Sequence, residues 1–314
     1  MPHVTFIHGI ANKPSPEELI EIWRRSLAQN DGINLATKGI TSSMVYWADV
    51  MYAEPAKETE AHESVGAEAV VSDEDENTAW RAELKSEEKA FVDSFASRLN
   101  FEAASPGDDN FAPEPLGEPG FERIPLPWFI KRRLMKVLLR DVHHYLFNVE
   151  YSPRPGVSYR VRDEIRERFL NILRKDSADN AGKGPHVLVS HSMGTVISYD
   201  CLKRVPDCPK VDAFMTIGCP LGIDEVQDKL KPEWTREDGF PHGNVAGAWD
   251  NVYDRLDPVA FDTHLANDFR RSGEKIVVDQ RQHNGGKWRH SIDKYLAQDE
   301  LRRILAYQLK INWP

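Results

Sequence analysis

Val187-Leu188-Val189-Ser190-His191-Ser192-Met193-Gly194-Thr195 is the stretch that decides the fold. Its apolar start reads as a strand, its small residues as a sharp turn, and residues 193–205 as a helix ended by Pro206. Ser190 and Gly194 lie two residues before and two after Ser192, and both are small enough for the backbone to turn tightly and lift the Ser192 hydroxyl to the top of a sheet. That hydroxyl then sits at a helix N-terminus, where the dipole favours a developing anion. A serine after a buried strand can also be a plain helix cap. The strand, the two small flanks and the partners identified below favour a nucleophile. Ser190, where a glycine is usual, is the one departure from Gly-x-Ser-x-Gly.

Outward from this stretch, short apolar runs alternate with helical patterns, the signature of βαβ units on a parallel sheet. Residues 4–7 form the first run. Ser15-Pro16-Glu17-Glu18 marks a helix start, with Ser15 as cap, Pro16 at the first helical position and Glu18 closing a capping box; Leu19, Trp23 and Leu27 follow as an apolar stripe. Residues 44–47 read as the second strand, and Val161, Ile165, Phe169 and Leu173 as the buried face of a helix leading to a third strand at 186–189. Further strands are expected at 213–217, 245–252 and 275–278. The expectation is a single α/β domain over 1–314, with a six-stranded, mainly parallel sheet, right-handed crossovers and helices on both faces.

Residues 53–155 interrupt the alternation as an insertion after the second strand. Residues 54–76 carry nine acidic side chains against Lys57 alone and read as a mobile, solvated segment. A helical cap is expected over 77–150: a helix at 77–99, an irregular Pro- and Gly-rich stretch at 105–127, and a basic amphipathic helix at 128–145. In the last, Ile130, Leu134, Val137 and Leu138 share one face, while Lys131, Arg132, Arg133, Lys136 and Arg140 crowd the other. Such a helix can cover an apolar cleft, with Leu134 and Leu138 receiving an apolar chain, or simply pack on the body of the domain.

Composition narrows the partners. Among 314 residues, 40 Lys and Arg stand against 50 Asp and Glu, a formal charge of −10 that disfavours nucleic acid and stable attachment to an anionic membrane. No window reaches the roughly 18 apolar residues of a membrane span, and the N-terminal residues enter a strand pattern at once, so a cytoplasmic protein is expected. Cys201, Cys208 and Cys219 are too few and too irregularly spaced for a disulfide framework or a metal cluster, and read as buried, unpaired thiols. No His-Glu-x-x-His or comparable spacing points to a metal, and no cofactor is required.

Acyl transfer needs donors for an oxyanion. Phe6-Ile7-His8-Gly9-Ile10 is a strand ending in His-Gly, so the backbone N–H groups of Ile10 and Met193 are expected to form the hole, with Gly9 allowing close approach and the His8 ring bracing its loop. An acid and then a histidine should follow, each after a late strand. Asp257 fits the first place, with Asp250 and Asp254 as rivals. His290 fits the second: His264 precedes the last expected strand, whereas His283 and His290 follow it, and His290 opens a helical segment beside Gly285-Gly286.

These segments resemble the α/β hydrolases: Phe-Ile-His-Gly and Val-Ser-His-Ser-Met-Gly are similar to those of lipases, esterases and lipid deacylases. The resemblance covers residues 1–52 and 156–314. It implies an α/β-hydrolase sheet trimmed to its six core strands and a serine hydrolase acting on a small-molecule or lipid-like carboxylic ester. Ser192 would be the nucleophile, His290 its base and Asp257 the residue that orients the histidine. Thioesterase or amidase chemistry with the same three residues, or a catalytically silent interaction module, are the alternatives.

Overall fold

The computed structural model describes residues 1–57, 79–98, 128–260, 263–285 and 289–313, with the backbone alone at 79, 98 and 128–135. In chain order the elements are β1 (His3–Ile7), α1 (Pro16–Ala28), β2 (Thr41–Val45), α2 (Ala48–Met51), a 3-10 turn (Ala79–Glu83), α3 (Ser86–Arg98) and α4 (Trp128–Leu146). A small hairpin, β3 (Glu150–Tyr151) and β4 (Tyr159–Arg160), leads into α5 (Val161–Asn180), β5 (His186–His191), α6 (Met193–Arg204), β6 (Ala213–Ile217) and α7 (Asp224–Lys229). The chain ends with β7 (Trp249–Tyr253), a 3-10 turn (Leu265–Asn267), β8 (Val278–Arg281), α8 (Ile292–Leu296) and α9 (Asp299–Gln308). Most of the expected acidic segment at 54–76, and all of 105–127, lie outside the described residues.

Six strands form one wholly parallel sheet in the order β2-β1-β5-β6-β7-β8. Alternate side chains on the central strands serve two cores. Val4 and Phe6 of β1, Val187 and Val189 of β5, and Met215 and Ile217 of β6 pack under α1, α8 and α9, joined by Trp23, Tyr295 and Leu305. Leu188 and Phe214 face the other side, with Phe169 of α5 and Ile197 of α6. Burial on both faces is what a parallel sheet with helical crossovers requires. Helix α1 begins as its sequence dictates: the Ser15 hydroxyl accepts from the Glu18 N–H at 3.3 Å, and the Glu18 carboxylate accepts from the Ser15 N–H at 3.3 Å. Such a cap stabilises a helix by about 1 kcal/mol.

Three strands depart most from the sequence reading, while β5 runs two residues further than expected, to His191, and β1 starts one residue earlier. The second strand ends at Val45 because the Trp47 N–H leaves the ladder and donates to His8 Nε2 at 3.0 Å. The seventh starts at Trp249, with Val245 making only an isolated bridge to Val211. The last runs over Val278–Arg281, not 275–278. Its ladder is dressed by polar side chains, Asn251 donating to Asp279 at 2.9 Å and Gln280 to Asp250 at 3.0 Å, so a search for apolar runs stops short of it.

The strand order fixes where a site can form. From β1 the chain goes to β2 on one side and, after α5, to β5 on the other, so the topology switches between β1 and β5. Loops leaving the carboxyl ends of those two strands diverge there and open a crevice, the usual ligand site of open parallel sheets. Those loops begin with His8 and Ser192.

Candidate active site

Ser192 follows β5 with φ 54° and ψ −129°, a conformation that costs a non-glycine residue about 1 to 3 kcal/mol and persists only where its surroundings enforce it. They do so from both sides. The Ser192 N–H donates to the Ile217 carbonyl at 2.9 Å, and the Ser192 carbonyl accepts from the Thr195 N–H at 2.9 Å and its hydroxyl at 2.6 Å. Ser190 occupies the usual glycine position without strain on polar satisfaction, because its hydroxyl pairs with that of Ser198 at 2.8 Å. The Ser192 hydroxyl oxygen is buried and has no hydrogen-bond partner among the described residues.

The His-Gly loop lies directly against this turn. A Cβ on Gly9 would stand 2.6 Å from Ser192 Cβ, and one on Gly194 would stand 2.6 Å from the His8 carbonyl oxygen, so both positions exclude any side chain. The His8 ring braces the loop. Its Nε2 accepts from the Trp47 N–H, which leaves Nδ1 to donate to the Gly9 carbonyl at 2.8 Å, and the ring stacks on Trp47 at 4.9 Å. No backbone hydrogen bond from the Ile10 or the Met193 N–H to a protein acceptor is seen among the described residues.

Helix α4 reaches the same loop. Asp141 Oδ2 accepts from the N–H of Ala11, a residue with φ 70°, at 3.1 Å. Arg140 Nε and Nη2 donate to Asp141 Oδ1 at 3.1 and 3.0 Å, and the guanidinium lies 4.8 Å from the centre of the Tyr52 ring. Arg140 therefore does not belong to a solvated basic face, as its place in the helical pattern suggests: it is buried against a carboxylate. Leu138 is buried in the apolar cluster that contains Ile10, Trp47 and Met193, while the side chain of Leu134 falls outside the described residues.

Asp257 and His290 meet from the loops after β7 and β8. His290 Nδ1 lies 2.9 Å from both carboxylate oxygens of Asp257. The carboxylate also accepts from the Val259 N–H at 2.8 Å and from the Tyr295 hydroxyl at 2.7 Å. Burial alone would raise its pKa, but the His290 imidazole and these donors outweigh it and hold the carboxyl below its ordinary range. Burial and the Asp257 charge push the Tyr295 phenol well above its usual value, so it remains a donor. Gly218, with φ 55°, completes the fit: a Cβ there would stand 2.8 Å from Asp257 Oδ2 and 2.9 Å from His290 Nδ1.

The elbow and the histidine are joined through His191, whose Nε2 donates to the His290 carbonyl at 2.8 Å and whose ring centroid lies 4.6 Å from that of His290. The rival residues face elsewhere. Asp250 accepts from Gln280 and Gln308. Asp254 accepts from the Asn284 N–H at 2.6 Å and from Arg289 at 3.2 Å, tying down the loop that carries His290 without touching the imidazole. His283 pairs with Arg289 at the surface and His264 with Thr263. All three cysteines are buried thiols, and burial pushes Cys219 up to about 12.

His191, Asp141, Gly218 and Tyr295 were not evident from sequence, because each acts through a partner distant in the chain. Only Tyr295 left a trace, as an apolar-spaced residue five after His290. No helix among the described residues is long and apolar enough to cross a membrane. No protein-family model and no curated protein matches the chain.

Proposed function

We propose that the protein is a serine hydrolase of the α/β-hydrolase fold that cleaves a carboxylic ester through an acyl-enzyme on Ser192. The observation that carries this reading is a serine held at positive φ after β5 whose chain neighbour His191 bonds the backbone of His290, an imidazole whose Nδ1 faces a buried carboxylate. The sheet is compatible with it as well: it has six parallel strands, the number the resemblance implies, with the serine, acid and histidine following β5, β7 and β8 in that order.

With Nδ1–H donated to Asp257, the other ring nitrogen of His290 carries the lone pair and acts as the base. It takes the proton from Ser192 as Oγ attacks the carbonyl carbon. The oxyanion accepts from the Ile10 and Met193 N–H groups, which are held in place before the reaction and need no reorganisation when charge develops. Collapse of the tetrahedral intermediate expels the alcohol, protonated by the imidazolium, and water attacks the acyl-enzyme by the same route in reverse. Asp257 stays ionised and stabilises the imidazolium. In this reading α4 is part of a cap: Asp141 anchors it to the oxyanion loop, and the apolar cluster containing Leu138 flanks the site. Thioesters and amides are open to the same residues.

Labelling with a fluorophosphonate tests the proposal. The reagent is expected to modify Ser192, and Ser192→Ala is expected to lose both labelling and hydrolysis of p-nitrophenyl esters while keeping the wild-type melting temperature. An unlabelled wild-type protein, or a fully active Ser192→Ala variant, would refute it.

A further inference from the structure

At the opposite end of the sheet from Ser192, where β1, β2 and β5 begin, five polar side chains converge in the interior. His3 opens β1, His186 opens β5, and Asp176 reaches them from the last turns of α5; all three are at most 6% exposed. Thr5 and Ser43 supply hydroxyls from the adjoining positions of β1 and β2. His3 Nε2 is 3.1 Å from Asp176 Oδ2, and Thr5 Oγ1 is 2.7 Å from both Asp176 Oδ2 and His186 Nε2. The Ser43 hydroxyl donates to the same carboxylate oxygen. From His3 to His8 and from His186 to Ser192 the chain runs the length of a strand, so about 16 Å or more separates these two histidines from the crevice. The hydrolytic mechanism uses none of these groups.

We propose that His3, His186 and Asp176 form a structural site for a divalent transition-metal ion, with zinc the best match to the donors. The candidate ligand atoms, one from each residue, lie within 4.8 Å of one another. Two imidazole nitrogens and one carboxylate oxygen are a borderline-soft donor set that suits Zn²⁺ and its neighbours, whereas Mg²⁺ and Ca²⁺ favour all-oxygen sites. Tetrahedral ligands about 2.0 to 2.1 Å from zinc lie about 3.3 Å apart, close to the His3 to Asp176 separation of 3.1 Å. His186, whose ligand atom lies within 4.8 Å of the other two, closes the third corner by exchanging its bond to Thr5 for one to the metal, and the Thr5 hydroxyl, lying between His186 and the carboxylate, is in reach of the fourth position.

The surroundings fit the same assignment. His3 Nδ1 lies 2.7 Å from Thr41 Oγ1, so the tautomer that donates Nδ1–H to Thr41 turns the Nε2 lone pair towards the centre. An outer hydrogen bond on the far nitrogen is the usual support of a metal-bound imidazole. In that tautomer the lone pair of His3 Nε2 faces Asp176 Oδ2 at 3.1 Å, an approach that a cation between them would relieve, while Thr5 and Ser43 donate to the same carboxylate oxygen. A metal there would tie the start of β1 to the end of α5 and the start of β5, more than 170 positions further along the sequence. The spacing of positions 3, 176 and 186 hides such a set from any short motif.

The test uses the full-length protein, stripped with a chelator and titrated with Co²⁺ and then with Zn²⁺. Binding of one equivalent with the visible bands of four-coordinate Co²⁺, displaced by Zn²⁺, and a Zn²⁺-dependent rise in melting temperature are expected. Asp176→Asn and His186→Gln should each weaken binding by at least 100-fold. Thr41→Ala alters only a partly exposed outer contact, should fold normally, and should weaken binding about 10- to 100-fold. Should the ligand variants fail to fold, Thr41→Ala decides. Failure of the wild type to bind, binding unchanged in folded Asp176→Asn or His186→Gln, or binding unchanged in Thr41→Ala would each overturn the proposal. Ester hydrolysis by the stripped protein is a separate readout, so this result and that of the serine-labelling experiment are independent.

Discussion

Replacing Gly218 by alanine separates backbone strain from damage to the candidate catalytic pair. The residue follows β6 with φ 55°, where an alanine costs about 1 to 2 kcal/mol through its Cβ alone. The new methyl group would also stand 2.8 Å from Asp257 Oδ2 and 2.9 Å from His290 Nδ1, well inside van der Waals contact with both partners of a 2.9 Å hydrogen bond. The Gly218 backbone is held by its N–H bond to the Val252 carbonyl at 3.1 Å, so the movement falls on the imidazole and the carboxylate. A displacement of about 1 Å costs about 100-fold in rate, and loss of the orienting bond as much as about 10,000-fold. Gly218→Ala is therefore expected to lower kcat for p-nitrophenyl ester hydrolysis at least 100-fold while lowering the melting temperature by only a few degrees. Gly39→Ala is the matched control, since Gly39 has φ 68° and nothing within 4 Å of the added methyl. It should show the strain penalty with full activity. If Gly218→Ala keeps kcat within threefold, or if Gly39→Ala loses activity to the same degree, the geometric argument fails.

Asp257→Asn should cost orders of magnitude in kcat, because its amide favours the wrong imidazole tautomer. Asp254→Asn should instead reduce stability by about 1 to 3 kcal/mol through its bonds to Asn284 and Arg289, with little effect on kcat; reversed effects would move the acid to Asp254. Leu138→Ala should reduce turnover of long-chain esters more than that of short-chain ones if the α4 cluster receives an acyl chain, and an equal loss on both would leave Leu138 as a packing residue. His143 and His144 supply a pH test. Burial, foremost, lowers them to about 4 and about 3, whereas in the unfolded chain each titrates near 6.5. Above pH 6.5 both are neutral in either state and the fold is unaffected. Below it the unfolded chain takes up protons that the folded chain refuses, so stability falls as pH drops from 6.5 towards 4, by at most about 1.4 kcal/mol per pH unit for each histidine. Melting temperatures between pH 7 and 5 should therefore fall less steeply for His144→Gln than for the wild type, and equal slopes would refute this.

How much was legible in the sequence follows from how far apart the cooperating residues lie. The strand, turn and helix around Ser192 were readable because they fall within nine consecutive residues, and the α1 cap because a capping box spans four. Asp257 and His290 were legible at one remove: chain order and loop position singled them out, and the structure brings them within 2.9 Å of each other. The polar β8 was misplaced because its ladder partners, not its own hydropathy, hold it in the sheet. Arg140 shows a deeper limit. Helical periodicity assigns it to the basic outer face, and a lone arginine there would indeed belong in water. What buries it is the adjoining Asp141, whose carboxylate is shared between the guanidinium and the Ala11 N–H, 130 positions away across the chain. Neither charge can be buried alone, since an unpaired ion in the interior costs several kcal/mol, so the pair and the loop it holds must form together. A window sliding along one helix cannot detect this coupling. The coupling ties α4 to the loop after β1: any movement of the helix that broke the Asp141 contact would leave the Ala11 N–H without that acceptor and loosen the loop.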